Sequence, residues 1–357
     1  MVHSDQYQDI CILRLSAIGD VCHAVSAVQA IQRHNSKARI TWVLGKVEAM
    51  LLADLPDVKF VIFDKKQGKA AYNKLKEEFK GKKFDVLLHM QVALRANIAA
   101  AYIPAKIKMG FDWSRCKEGH AIFTNKRISS QSEPHVLEGF QGFAKAIGVP
   151  HYKPSWQMPY TENDLVFANT QLDSFGIKDK KVFVISAAAS KKERNWLPER
   201  YAALAKHAHE KGFKVVLTGG PVDMERELAC DIQRFCDFKL LNLVGKTNLK
   251  QLLCILKCAD LVLAPDTGPA HMAVTMNTPV IGLYAHSNPK RTGPYLYQEY
   301  AVEVYHKNLK AQFGKTAQQL PWGKRCKGKN LMSQIQTHDV VNMFDRIVIE
   351  KNILESK

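Results

Sequence analysis

The chain has 357 residues, of which 51 are Lys or Arg and 34 are Asp or Glu, giving a formal net charge of +17. With 46% hydrophobic and 24% charged residues it can build ordinary cores, which argues against disorder, and its length suggests two domains. Eight scattered cysteines, several among apolar neighbours (Cys11, Cys22, Cys254, Cys258), exclude a disulfide scaffold and fit reduced cytosolic thiols.

In chain order, 10–15 (ICILRL) reads as a short apolar strand that stops at Ser16-Ala17-Ile18-Gly19-Asp20. The opening MVHSDQYQDI before it is polar, so no signal peptide is expected. Val21, Val25, Val28 and Ile31 recur at helical spacing and predict a helix over 21–34. Strands are then expected at 40–44, 58–63 and 85–90, and helices at 47–55 and 69–80. Pro150, Pro154 and Pro159 mark a linker between domains. The alternation restarts with strands at 182–186, 214–218, 261–264 and 280–284. The helices of this half are expected at 198–211, 224–235, 249–257 and from 271. A last helix over 340–353 is opened by Thr337 or Asp339. The uncharged stretch from Thr267 to Pro289 is interrupted by Gly268, Pro269, His271, Pro279 and His286, which argues against a transmembrane helix. Strands alternating with helices imply parallel sheets covered on both faces, in two Rossmann-like domains. Ligands in such sheets bind beyond the carboxyl ends of the strands.

The charge surplus predicts an anionic partner: nucleic acid, a phospholipid surface or a phosphorylated small molecule. Two clusters stand out. Segment 59–83 holds nine Lys, and segment 305–338 holds Lys307, Lys310, Lys315, Lys324, Arg325, Lys327 and Lys329 with no acid. Each is either solvated surface or an attraction to an anion.

Three loops carry chemistry. In the first, Gly19 allows a tight turn and Asp20 stands where the helix begins, as an N-cap or as a general base. The G-x-G-x-x-G and Walker A patterns are both missing, so NAD binding and a P-loop have no support. In the second, small residues 186–190 precede Lys191, Lys192 and Arg194, which could hold a phosphate or form a basic surface loop. In the third, Pro265-Asp266-Thr267-Gly268-Pro269-Ala270-His271 follows an apolar strand and opens a helix, so its backbone N–H groups form an anion site. Asp266 suits a sugar hydroxyl or orients the loop. His271 is a phosphate donor or a packed helix residue. No D-x-D pair is present, and Cys254 with Cys258 lacks a second pair, so no metal is expected.

Together these segments resemble the ADP-heptose–lipopolysaccharide heptosyltransferase family. The matching pieces are LRLSAIGDVCHA, GFDWSR, PHVLEGF, SKKERNWLPERYAAL, GKTNLKQL and PDTGPAHMAVTMNTPVIGLYAHSNPKRTGPY; the tail LPWGKRCKGKNLMSQIQ is similar to the heptosyltransferase I branch, Haemophilus-type. The resemblance implies a GT-B fold, with parallel sheets of two Rossmann-like domains facing a central cleft. It implies an acceptor-binding domain over 1–158, a nucleotide-sugar-binding domain over 159–335, and a C-terminal helix over 336–357 packing back on the first domain. It implies inverting transfer of L-glycero-D-manno-heptose from ADP-heptose to Kdo of lipid A, with no cofactor or metal required. The enzyme would be cytoplasmic, peripheral on the cytoplasmic face of the anionic inner membrane, and would bind no nucleic acid.

Residue by residue, the resemblance makes Asp20 the catalytic base and puts Arg194 beside the donor diphosphate, where the family often carries Lys. It adds Ser190, Lys192, Glu225, Thr247, Asp266, Thr267, Gly268 and His271 to the donor site, and Lys117 and His135 to the acceptor site. The competing readings are a GT-B transferase with another nucleotide sugar, a heptosyltransferase II- or III-type acceptor, and a basic nucleic-acid- or lipid-surface-binding protein.

Overall fold

The computed structural model describes residues 7–177 and 180–355. Residues 1–6 of the polar opening segment, on which the signal-peptide reading partly rests, lie outside the described residues. The chain divides into two compact units, Met1–Pro159 and Tyr160–Lys357.

The first unit is a six-stranded parallel sheet of β1 (Asp9–Leu13), β2 (Arg39–Gly45), β3 (Val58–Phe63), β4 (Phe84–His89), β5 (Ala105–Gly110) and β6 (Lys126–Arg127). Its strand order is β3-β2-β1-β4-β5-β6. The central strands are near-continuous apolar runs because helices cover both faces. Ile10, Cys11, Ile12, Leu13, Val43, Leu87 and Leu88 are all buried. Val21, Val25, Val28 and Ile31 are buried on the first helix, as their spacing requires.

That helix runs Ile18–His34 and therefore begins three residues earlier than its apolar periodicity suggests. The cap position belongs to Ala17, whose backbone is extended. Asp20 is the third helical residue, and its Oδ2 accepts a bond from the Ala17 N–H at 3.3 Å. The N-cap reading of Asp20 is corrected accordingly. Its carboxylate still sits in the first turn, where the helix dipole favours negative charge.

The second unit contains β7 (Val182–Ile185), β8 (Lys214–Leu217), β9 (Leu241–Asn242), β10 (Leu261–Pro265), β11 (Val280–Tyr284) and β12 (Ala301–Glu303), all parallel. Their order is β12-β11-β10-β7-β8-β9. Read from the other edge this is the winding of the first unit. Each sheet reverses direction beside its own first strand, between β1 and β4 and between β7 and β10. In doubly wound sheets the crevice at that switch point is where ligands bind.

The last helix, Thr337–Glu350, belongs to the second unit. Phe344 is fully buried against the rings of Phe183 and Phe213, at 5.1 and 5.2 Å. His207 Nε2 lies 2.8 Å from Asp345 Oδ1. An apolar stripe of Val340, Phe344, Ile347 and Val348 is thus covered within its own unit.

Candidate active site

In the first unit the site grows from the end of β1. Arg14 is the residue after that strand, and it leaves the apolar run with its guanidinium directed at the loop that follows. Arg14 Nη1 donates to Met90 O at 2.6 Å, just past β4, and Nη2 forms an ion pair with Asp20 Oδ2. The guanidinium also lies 5.5 Å from the centre of the Phe140 ring. The Arg14 and Asp20 side chains are 12% and 29% exposed, so the carboxylate is held yet open to solvent on one side. Gln91 supports the same turn: its Oε1 accepts from Leu15 N–H at 2.7 Å and its Nε2 donates to Ser16 Oγ at 3.3 Å.

Glu48 lies on the far side of this loop. It is buried, and burial pushes its carboxyl above the usual range; Asp20 adds to the push, while Lys65 and Arg14 oppose it. Gly45 makes room for it, since a Cβ there would fall 2.4 Å from Glu48 Oε2 and 2.5 Å from Leu15 O.

Further along the same edge, a buried network fixes the 111–124 loop to the end of β4. Phe111 N–H donates to His120 Nε2 at 3.1 Å, so the His120 proton is on Nδ1, which donates to Asn97 Oδ1 at 3.0 Å. His89 Nε2 donates to the same oxygen at 2.9 Å. Burial holds both imidazoles neutral, reinforced at His89 by the neighbouring His120 ring and at His120 by Arg127: His89 is well below its ordinary value and His120 at about 4. Lys117 is an exposed residue of this loop. His135 is 2% exposed, and its Nδ1 accepts from Leu137 N–H at 3.1 Å as the cap of helix Val136–Ala146. Its ring also stands edge-on to His23 at 5.1 Å. The structure thus gives His135 a packed, helix-capping place and leaves Lys117 in solvent.

In the second unit the loops after β7, β10 and β11 converge. The segment after β7 is braced by Ser186 Oγ to Thr218 Oγ1 at 2.6 Å, Tyr201 O–H to Ala187 O at 2.9 Å, and Ala189 N–H to Asn195 Oδ1 at 2.7 Å. Ser190 and Lys192 are exposed on it, and Arg194 is half-buried at the end of a single turn, Lys192–Arg194. Burial and the Arg325 charge lower the Arg194 guanidinium from its ordinary value, with Asp266 and Glu193 acting the other way.

After β10, helix Gly268–Thr275 starts with Thr267 as its extended cap and Pro269 at its second position. Its leading N–H groups have no acceptor within the helix. Asp266 accepts Ser287 O–H at 2.5 Å, and His271 Nε2 lies 4.0 Å from its other oxygen. Thr267 Oγ1 donates to Pro265 O at 3.2 Å.

Glu225 is the third residue of helix Asp223–Arg234, which follows β8, and Thr247 lies in the loop after β9; the two loops meet where Gly245 N–H donates to Gly219 O at 3.0 Å. Glu225 Oε2 accepts from Gly220 N–H at 2.5 Å. Glu225 and Thr247 are both half-buried. Among the described residues no group of three or more His, Cys, Asp or Glu is placed to hold a metal ion.

The sequence reading missed Arg14, Glu48, Gln91, Ser287 and His286. Arg14 carried a usable signal, being a cation closing an otherwise apolar buried strand.

The profile of glycosyltransferase family 9 (heptosyltransferase) matches residues 72–322. The lipopolysaccharide core heptosyltransferase OpsX of Haemophilus influenzae is 44% identical over 340 residues, covering 95% of this chain and 97% of that protein. Two solved structures share the fold over nearly the whole chain. A family 9 glycosyltransferase from Veillonella parvula is 20% identical with a TM-score of 0.79, covering 99% of each chain. Escherichia coli heptosyltransferase WaaC with ADP is 19% identical with a TM-score of 0.71, covering 95% of this chain and 99% of that one. Two parallel α/β units of one winding give the GT-B class, and the chain belongs to the glycosyltransferase family 9 heptosyltransferases.

Proposed function

We propose that the protein transfers L-glycero-D-manno-heptose from ADP-heptose to Kdo of lipid A, with inversion at the anomeric carbon. The observation that carries the reading is the pair of switch-point loops. One presents a carboxylate clamped by Arg14; the other presents a helix N-terminus flanked by Asp266, His271 and Arg194. The name of the 44% identical relative supports heptose transfer to the lipopolysaccharide core, and the solved WaaC complex with ADP supports the nucleotide.

The chemistry follows from charge. Asp20 takes the proton of a Kdo hydroxyl, and that oxygen attacks the anomeric carbon from the face opposite the ADP oxygen. The C–O bond to the diphosphate breaks, and negative charge grows on ADP. Arg194, Ser190, and the N–H groups of Thr267 and Gly268 stabilise that charge; Lys192 lies next to them. Glu225 and Thr247 face the adenosine, and Asp266 and His271 the heptose. Lys117 and His135 belong to the acceptor side, Lys117 by direct contact and His135 by holding the helix behind it.

The test is ADP release by purified protein given ADP-heptose and Kdo–lipid A. Release only with another nucleotide sugar would replace the donor. Asp20→Ala is expected to abolish turnover with ADP affinity nearly intact, and near-normal turnover would remove Asp20 as the base.

We assign the protein to the cytoplasmic face of the inner membrane as a peripheral enzyme. Among the described residues no helix is long and apolar enough to cross a membrane. Within the 59–83 cluster, Lys59 and Lys82 both pair with Glu78, at 2.6 and 3.1 Å, which leaves exposed Lys65 and Lys66 as better contacts for anionic lipid. Neutralising Lys65 and Lys66 is expected to weaken binding to anionic vesicles without changing ADP affinity; unchanged vesicle binding would return the cluster to ordinary surface.

A further inference from the structure

We infer that Arg325 is a second guanidinium of the donor-diphosphate site, held beside Arg194 by a histidine strap. The inference rests on the ADP-sugar reading above and adds a residue from the basic tail to it.

The strap is His286, two residues past β11 and 7% exposed. Its Nε2 lies 2.9 Å from Glu193 O and its Nδ1 3.1 Å from Cys326 O. Cys326 N–H donates back to His286 O at 2.9 Å. One imidazole therefore joins the residue before Arg194 to the residue after Arg325, although the two arginines are far apart in sequence. The next residue, Ser287, holds Asp266. The turn 286–287 thus ties the loops after β7 and β10 to the tail.

Other contacts fix the tail independently. Tyr305 O–H donates to Lys324 O at 3.0 Å, and the Arg291 guanidinium lies 4.1 Å from the Trp322 ring centre. Arg325 is thereby set on an anchored backbone with an exposed side chain. Among the described residues neither Arg194 nor Arg325 has an ion pair within 4.0 Å, and after burial the Arg325 charge is the next cause that lowers the Arg194 guanidinium. Two arginines whose neighbouring backbone carbonyls meet one imidazole, near the loop that holds Asp266, suit a multiply charged anion that bridges them. A diphosphate has that charge and span, and the planar fork of Arg offers paired donors to its oxygens.

The experiment titrates ADP and AMP calorimetrically into the full chain and into Arg325→Gln and Arg194→Gln. Arg325 is exposed, and thermal midpoints check that each variant is folded. Loss of one charge-assisted contact is expected to weaken ADP about tenfold in Arg325→Gln, with a much smaller effect on AMP, which lacks the second phosphate. ADP affinity within twofold of the parent in Arg325→Gln, with Arg194→Gln clearly weakened, would overturn the inference and leave the donor reading intact. Equal losses for ADP and AMP would also overturn the diphosphate assignment. Failure of the unmodified chain to bind ADP would overturn both the inference and the donor reading.

Discussion

Replacing Arg14 by Gln removes the charge that faces Asp20 while keeping most of the side-chain volume. The ion pair is partly buried, at 12% and 29% exposure, so it escapes full solvent screening without reaching the strength of a dry pair. A charge-assisted bond in such a setting contributes about 2 kcal/mol. If that energy serves to hold the carboxylate where the acceptor hydroxyl arrives, its loss lowers kcat roughly 30-fold. The donor KM should stay within about twofold, because Arg14 lies in the other unit from the loops proposed to hold the nucleotide. Steady-state ADP release at saturating acceptor measures both constants. Arg14→Lys should recover part of kcat, since it restores charge without the second bond to Met90 O. A double-mutant cycle sharpens the test: with Asp20 already changed to Asn, removing Arg14 should add little further loss. Full kcat in Arg14→Gln, or losses that simply multiply in the double variant, would refute a positioning role.

Glu48→Gln should raise the thermal midpoint at neutral pH. The folded state holds the Glu48 carboxyl above its ordinary value, so its contribution is complete at acid pH and is lost as pH rises through the raised value; an equal midpoint change at pH 4 and pH 7 would contradict this. The His89–Asn97–His120 network acts in the opposite sense. Both imidazoles are lowered in the folded state, so stability is complete above about 6.5 and falls as pH drops toward about 4, by about 3 kcal/mol for His120 alone. Urea unfolding followed across that window should show the loss, and His120→Asn should flatten it. Phe344→Ala should destabilise the second unit by about 3–5 kcal/mol through the cavity left between Phe183 and Phe213, and an unchanged denaturation midpoint would count against the packing described.

Much of the fold was legible because buried parallel strands are unbroken apolar runs and the major helices keep strict periodicity. β5 (AKIKMG) escaped because Lys106 and Lys108 interrupt its pattern; the Lys108 ammonium reaches back to Ala100 O at 2.6 Å. Helix Glu162–Ser174 was hidden behind the proline-rich linker, although Thr161 and Asp164 form a capping box that the sequence displays openly. Loop structure was legible where it is local, as in the turn that leads into helix Ile18–His34 and in the helix start at 265–271. It was not legible where partners come from distant strands. Arg14 meets Met90 only because β1 and β4 are neighbours, and Ser287 meets Asp266 only because β11 lies beside β10. The helix-capping place of His135 was not legible, because a histidine in a matching motif looks the same whether it meets a substrate or caps a helix.

The shared winding of the two sheets has a consequence for how such an enzyme can change. Asp20 is braced by Arg14, which follows β1 and reaches Met90 past β4, and Asp266 by Ser287, which follows β11. On the proposed roles, a lineage can rewrite the loop around Asp20 for a new acceptor while leaving the loop around Asp266 untouched. Swapping whole halves between relatives is then an engineering route to new glycosidic linkages.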